Sequence, residues 1–437
     1  MTGQTTTITT GRSAAALPGP LHETATLLRA AAPFAAVGLL NMAVSITDSV
    51  MIGALGPAAL ATGALVSDAR AIVFYFVGGG FIALAPLIAA ASAEGDATQL
   101  RRLFGAGLRL AIVLAAVSFP IVMSLGWTLP AMGIALPDRN AAVAFAISLA
   151  FACTAMVFAQ FARSVLAPLG RGRTVVIAMA AAVPINALAN TVLMFGPEGM
   201  PRLGIAGAGY GAALAYAIVA VWLMAVSHGV ADVSPLRALS TRSQAFRPLA
   251  AATLMTGFGL LCETGLYLAA TLAVGRFAPA ATPEHVVAFR ILGLCYCVLV
   301  GVGQATSIAA ARSGAAFTTV VTAFGATLAA GLACSAATHV AVMRLVPAGF
   351  ADDPAATAAL ALHVAVAVLA LAFAVVGLSG LRGRGAVRAS AVIAVAGYWG
   401  VGVLALAIVA ATGDLGLLGI WKALIAGTLA TALAAWV

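Results

Sequence analysis

Of the thirteen acidic residues, only Asp48, Asp68 and Glu263 fall inside apolar stretches long enough to cross a bilayer; the other ten fall in expected loops or tails. A carboxylate at bilayer depth costs about 2.5 to 3.5 kcal/mol on insertion scales, so it marks an ion path, a substrate contact or a buried partner. Asp48 follows Pro33 by 15 residues, which at the rise of an α-helix puts it about 22 Å above the cytoplasmic edge. Counted from residue 174, Asn190 reaches about 24 Å, and Asn186 lies one turn below it on the same face. One carboxylate and two amides at a common depth can hold Na⁺ or share a proton. The same groups can instead tie helices together through hydrogen bonds.

Glu263 follows Pro248 by the same 15 residues. Arg290, about six residues into a descending stretch, falls about 9 Å below the outer face and near the level of Glu263. An ion pair between the two is therefore expected, either structural or part of coupling and substrate binding. On that expectation Arg290 holds Glu263 as a carboxylate and Asp48 carries the coupling. Asp68 and Arg70 are two residues apart and so do not face each other on a helix. Each either lines a cleft or finds a partner on another helix.

Other chemistry-bearing patterns are weaker. Gly78-Gly79-Gly80 and Gly207-Ala-Gly209-Tyr-Gly211 look superficially like phosphate-cradling loops, but neither follows a strand. Close helix packing or a kink fits both better. The five histidines show no ligand spacing, and Cys153, Cys262, Cys295, Cys297 and Cys334 form no CxxC pair and read as small packing residues. No nucleophile, base and orienter set is present. An enzyme, a cofactor and a metal are not expected, apart from possible Na⁺ at Asp48, Asn186 and Asn190.

Groups at these depths need membrane-spanning helices to hold them. The chain is 63% hydrophobic and 8% charged, which excludes an ordinary soluble domain. Apolar stretches recur near 31–55, 59–91, 107–132, 140–165, 174–196, 205–227, 249–275, 284–311, 317–345, 354–378, 386–411 and 415–437. An all-α polytopic protein of about twelve spans follows. With the N-terminus inside, fifteen arginines fall in cytoplasmic segments and four (Arg139, Arg202, Arg276, Arg344) in outer loops. That bias places both termini in the cytoplasm. The net charge of +9 is spread singly or in pairs between spans, so it reads as an orientation signal and not as a nucleic-acid surface. Residues 1–26 form a polar tail without the apolar core and cleavage site of a secretory signal, and the first span serves as its own insertion signal.

The chain also repeats at an offset near 215 residues. Pro33 to Asp48 is matched by Pro248 to Glu263, LGRGR at 169–173 by LRGRG at 381–385, and Leu203-Gly204-x-x-Gly207 by Leu415-Gly416-x-x-Gly419. Six spans per repeat preserve orientation. Two parallel six-helix lobes, 27–227 and 249–437, joined by a cytoplasmic linker 228–248, are expected about a pseudo-two-fold axis along the membrane normal.

These residues are similar to those of multidrug and toxic compound extrusion (MATE) exporters, in particular the NorM-like branch. The resemblance rests on TDSVMIGALG at 47–56, PINALANTVLMFG at 184–196 with LGIAGAGYGAALA at 203–215, LLCETGLYLAA at 260–270, EHVVAFRI at 284–291 and LRGRG at 381–385. It implies a central cavity between two lobes, and export of amphipathic, often cationic compounds against H⁺ or Na⁺ by a monomer in the bacterial inner membrane. It also implies an N-lobe ion site at Asp48, Asn186 and Asn190, and a C-lobe site that includes Glu263. NorM-like proteins carry a second acid in the tenth helix, where this chain has Leu371. A lipid-linked oligosaccharide flippase of the same wider superfamily is the alternative, since Arg70 and Arg290 suit an anionic cargo. A major facilitator is disfavoured, because AEGDATQLRRLFGAG lacks that family's Gly-x-x-x-Asp-Arg-x-Gly-Arg loop. The cargo itself is not legible, because polyspecific cavities are built of ordinary apolar and aromatic residues.

Overall fold

The computed structural model describes residues 20–196, 202–231, 245–313, 317–346, 354–412 and 416–437, and among them every regular element is helical. The first half contains α1 (Pro20–Gly53), α2 (Pro57–Gly79), α3 (Leu84–Ala93), α4 (Ala97–Met123), α5 (Leu125–Ala131), α6 (Arg139–Leu166), α7 (Gly172–Phe195) and α8 (Ile205–Ala231). The second half contains α9 (Phe246–Phe277), α10 (Thr282–Ser313), α11 (Phe317–Leu345), α12 (Pro354–Gly383), α13 (Val387–Ala394), α14 (Gly402–Ala411) and α15 (Leu417–Trp436).

Among the described residues ten helical stretches are long and apolar enough to cross a membrane, and a bent pair at the N-terminal end makes eleven. One of the ten, Arg139–Phe195, has 57 residues. As a single rod it would measure about 85 Å, nearly three bilayer cores. Its helical geometry is interrupted at Leu169 and at Gly170, whose φ of 75° suits a residue without a Cβ. Counting α6 and α7 as separate crossings gives the twelve expected from the sequence.

Several boundaries shift for local reasons. α4 starts ten residues before the expected span edge because the Asp96 carboxylate accepts from Gln99 N at 2.8 Å; Asp138 caps α6 in the same way through Ala141 N at 2.9 Å. α1 begins inside the stretch read as a tail. Pro20 opens it, where the missing N–H is no loss, and Glu23 in the first turn accepts from Thr322 Oγ1 at 3.0 Å. Helices α8 and α9 likewise enter both ends of the expected linker 228–248, and Arg242 and Leu415 lie outside the described residues.

The largest apolar cluster of each half lies mainly within it, one among α1, α2 and α4 to α8 around Phe145, Met179 and Leu223, the other among α9 to α15 around Trp421, Tyr398 and Leu371, while smaller clusters such as Ala31 with Val302 and Leu60 with Val286 cross between the halves. Within the first, α6 packs on α4 and α8, and α8 on α7; within the second, α12 packs on α10, α11 and α15. Between lobes α1 lies along α10, and α9 along α2. These two seams are the same contact, first span on eighth and seventh on second, exchanged between the halves. Small residues permit it: on α10, Gly293, Cys297 and Gly301 recur every four residues and face Met42, Gly38 and the pair Ala31 and Ala35 of α1. In the other seam a Cβ on Gly257 would lie 2.0 Å from Phe76 O. Backbones approach this closely only through such residues.

Candidate ion and substrate site

Asp48 sits on α1, partly buried, and faces α7 of its own lobe. The amide nitrogens of Asn186 and Asn190 each donate to Asp48 Oδ1 at 2.7 Å, and both asparagines are fully buried. Their spacing of four puts them on one face of α7, which explains why both reach one oxygen. Each amide oxygen is left buried without a partner. As drawn, two N–H groups grip a carboxylate that has a second oxygen free. With the amides turned over, three oxygens would converge at one point, which is the chemistry of a small hard cation.

The Gly-Ala-Gly-Tyr-Gly stretch of α8 serves this site by packing. A Cβ on Gly207 would lie 2.6 Å from the Leu193 backbone, on Gly209 1.9 Å from Ser148 Oγ, and on Gly211 2.0 Å from Asn190 Oδ1. Gly211→Ala is therefore expected to push Asn190 off Asp48 and to lower both thermal stability and transport. Gly204→Ala, whose added methyl would meet nothing within 4 Å, introduces strain from its φ of 55° and no such clash. A thermal melt with an efflux assay on both variants checks this; Gly211→Ala matching the wild type in both would contradict it.

The expected pair between Glu263 and Arg290 does not form. Arg290 Nη2 bonds Asp68 Oδ1 at 2.9 Å, its Nε bonds Ser49 Oγ at 3.1 Å, and Glu263 pairs instead with Arg382 of α12. The reason is depth. α9 continues 14 residues beyond Glu263 to Phe277, so Glu263 lies about 21 Å below the outer end, whereas Arg290 lies about 12 Å below Thr282. Asp68, about 16 Å below Pro57, is the acid near the level of Arg290. The Asp68–Arg290 pair crosses between lobes, and Thr271 of α9 donates to Asp68 Oδ2 at 2.8 Å. His285 Nε2 lies 3.1 Å from Thr271 Oγ1, and its ring stacks on Phe289. Four spans, α1, α2, α9 and α10, thus meet in one buried polar cluster.

Arg70, two residues from Asp68, points the other way, to Met156 Sδ of α6 at 3.3 Å. In the C-lobe, Arg382 also bonds Ser379 Oγ at 3.1 Å, and Leu371 is packed in the apolar core. A carboxylate already facing an arginine, without a second acid, is a poor receptor for a further cation. Among the described residues no three His, Cys, Asp or Glu side chains group as metal ligands.

The sequence reading left Asp68 without a named partner, and missed Thr271 and His285 beside it and Arg382 as the partner of Glu263. A signal existed for one pair, because Asp68 and Arg290 both count to similar depths from outer loops. His285 and Thr271 carried none, since neither stands at a spacing that marks a partner on another helix.

Comparison with known proteins agrees with this architecture. The MatE family model matches residues 33–192. A probable multidrug resistance protein NorM of Burkholderia pseudomallei is 27% identical, over 97% of this chain and 94% of its own. One from Deinococcus radiodurans is 28% identical over 94% of each. Among solved structures, an inward-facing multidrug resistance MATE family transporter superposes with a TM-score of 0.76 at 17% identity, covering 90% of this chain and 92% of its own. A eukaryotic MATE transporter gives 0.74 at 19% identity, covering 95% of each. At these identities the solved structures speak for the fold.

Proposed function

Since the chain belongs to the MATE family, we propose that it exports amphipathic organic compounds bearing a cationic group in exchange for H⁺ or Na⁺, by alternating access between its lobes. The observation that carries this reading is Asp48, an acid at bilayer depth held by two buried amides and by no arginine at contact. A cation and a coupling ion that compete for one carboxylate give exchange, because the site binds one or the other and is costly to leave charged and bare. The relatives named multidrug resistance proteins support export of small molecules. The flippase alternative loses much of its support, because Arg290 is neutralised by Asp68.

Either amide orientation at Asp48 is chemically sensible, one for a proton and the other for sodium. Everted vesicles given a Na⁺ gradient or a pH gradient separately, with a panel of cationic dyes, should show efflux under one of them. Absence of efflux under both, with movement of an anionic lipid-linked cargo, would favour the flippase.

The protein is a multi-pass membrane protein. In this reading it is a monomer of the bacterial inner membrane with both termini cytoplasmic, as the arginine distribution supports. Single cysteines in the loops of Arg171 and Arg384, on a background without native cysteines, should resist an impermeant thiol reagent in intact cells. Labelling of both from outside would invert the topology.

A further inference from the structure

The Asp68–Arg290 pair lies where the two seams between the lobes meet. The α2 and α9 seam supplies Asp68 and Thr271, and the α1 and α10 seam supplies Ser49 and Arg290. Both carboxylate oxygens of Asp68 are engaged, Oδ1 by Arg290 at 2.9 Å and Oδ2 by Thr271 at 2.8 Å. Ser49 gives its own proton to Ser45 O at 2.9 Å and accepts from Arg290 Nε at 3.1 Å. One guanidinium thus reaches both α2 and α1, and its contact on α1 is the residue next to Asp48.

Outward of this level the lobes stay in contact. Leu60 and Ala64 of α2 cluster with Val286 of α10, and Ala135 N, beyond the end of α5, donates to Gly275 O of α9 at 3.1 Å. A Cβ on Gly275 would lie 2.5 Å from Leu65 Cδ2. Inward of it the lobes meet along each seam through small residues, Gly301 on Ala31 and Ala35 and Gly257 on Phe76, and through the hydrogen bond from Thr322 to Glu23. The Asp68–Arg290 ion pair therefore stands on the outer side of both seams. A buried ion pair resists separation, because each charge alone is costly in a low dielectric. Water entering an opened mouth would solvate both charges and lower that cost. Two arrangements are then stable and the passage between them is costly, which is how a bistable interface behaves.

We propose that Asp68 and Arg290, with Thr271 and Ser49, form the latch that holds the outer mouth of the interlobe cleft shut, and that breaking it is the step that opens the protein outward. This rests on alternating access between the lobes, part of the efflux reading, and names the residues that set the outward-opening equilibrium. Ser49 ties the latch to coupling. Asp48 faces α7 and Ser49 faces α10 from one turn of one helix, so a shift of α1 that follows a change of occupant at Asp48 is carried to Arg290.

The test measures labelling by a water-soluble maleimide in the purified full-length protein in detergent, where both faces are open to the reagent. Ala64→Cys on a background without native cysteines reports the outer seam, because Ala64 is 5% exposed and clusters with Val286 across it. A second protein keeps Cys153 alone, fully buried in the N-lobe core, and reports general loosening. Asp68→Asn with Arg290→Gln retains hydrogen-bonding groups and loses the charges. It is expected to raise labelling at Ala64→Cys about tenfold and to leave Cys153 at its original rate. Ser49→Ala, which removes one hydrogen bond, should raise the outer labelling about threefold. Unchanged labelling at Ala64→Cys in the double variant, or an equal rise at Cys153, overturns the latch. If the double variant melts well below the wild type, Ser49→Ala decides, and no rise there overturns it. Labelling requires neither cargo nor gradient, so a wild type that labels as expected and does not export ethidium defeats the efflux reading and leaves the latch standing.

Discussion

Asp48→Asn is expected to give a folded, membrane-inserted protein whose gradient-driven dye efflux falls to that of protein-free liposomes. The substitution is nearly isosteric, and the new side-chain oxygen can still accept from Asn186 and Asn190, which donate to Asp48 Oδ1 at 2.7 Å each. What it removes is the ability to carry a negative charge or exchange a proton. A neutral amide neither attracts a cationic cargo nor releases a coupling ion when that cargo arrives, so binding is uncoupled from the gradient. The control is Glu263→Gln. Glu263 faces Arg382 and is not argued to couple, so this variant should keep gradient-driven efflux. Efflux at wild-type level by Asp48→Asn, measured at matched protein in liposomes, would remove Asp48 from the mechanism.

The second large effect falls on stability. Asp68 and Arg290 have side chains only 3% and 13% exposed, and they join the lobes. Arg290→Gln leaves a buried carboxylate with only Thr271 Oγ1 to satisfy it, which should cost about 3 to 5 kcal/mol. Asp68→Asn together with Arg290→Gln replaces charges by amides that can still hydrogen-bond, and most of that loss should return. The comparison with Glu263→Gln separates burial from charge, because Arg382 is 35% exposed and an ion pair of that kind is worth about 1 kcal/mol or less. Thermal unfolding in detergent of the single and double variants measures all three. Equal losses for Arg290→Gln and Glu263→Gln, or a double variant no more stable than Arg290→Gln, would show that the interlobe pair does not carry this stability.

Most of the fold was legible because lipid is a severe solvent. Backbone groups must be satisfied within each span, so spans can be read from apolar length alone. The N-lobe site was legible for the same reason: Asp48, Asn186 and Asn190 share a depth, and on α7 the two amides share a face. The failure at Glu263 shows the limit. Depth was counted upward from Pro248 for one residue and downward from the outer face for the other, so uncertainty at both ends accumulated, and α9 ran further outward than expected. Rotation about the helix axis was harder still. Sequence spacing established that Asp68 and Arg70 diverge, but which helix each one faces depends on how neighbouring helices pack, and that is set by contacts such as Gly257 on Phe76 between residues far apart in the chain.

The central claim, that Asp48 is where cargo and coupling ion displace one another, is tested most directly by ion release on binding. Cargo added to the purified protein in weak buffer should release H⁺, read by a pH-sensitive dye, or Na⁺, read by a selective electrode. The account predicts release by the wild type and by Glu263→Gln, and none by Asp48→Asn even where cargo still binds. Undiminished release by Asp48→Asn would contradict it.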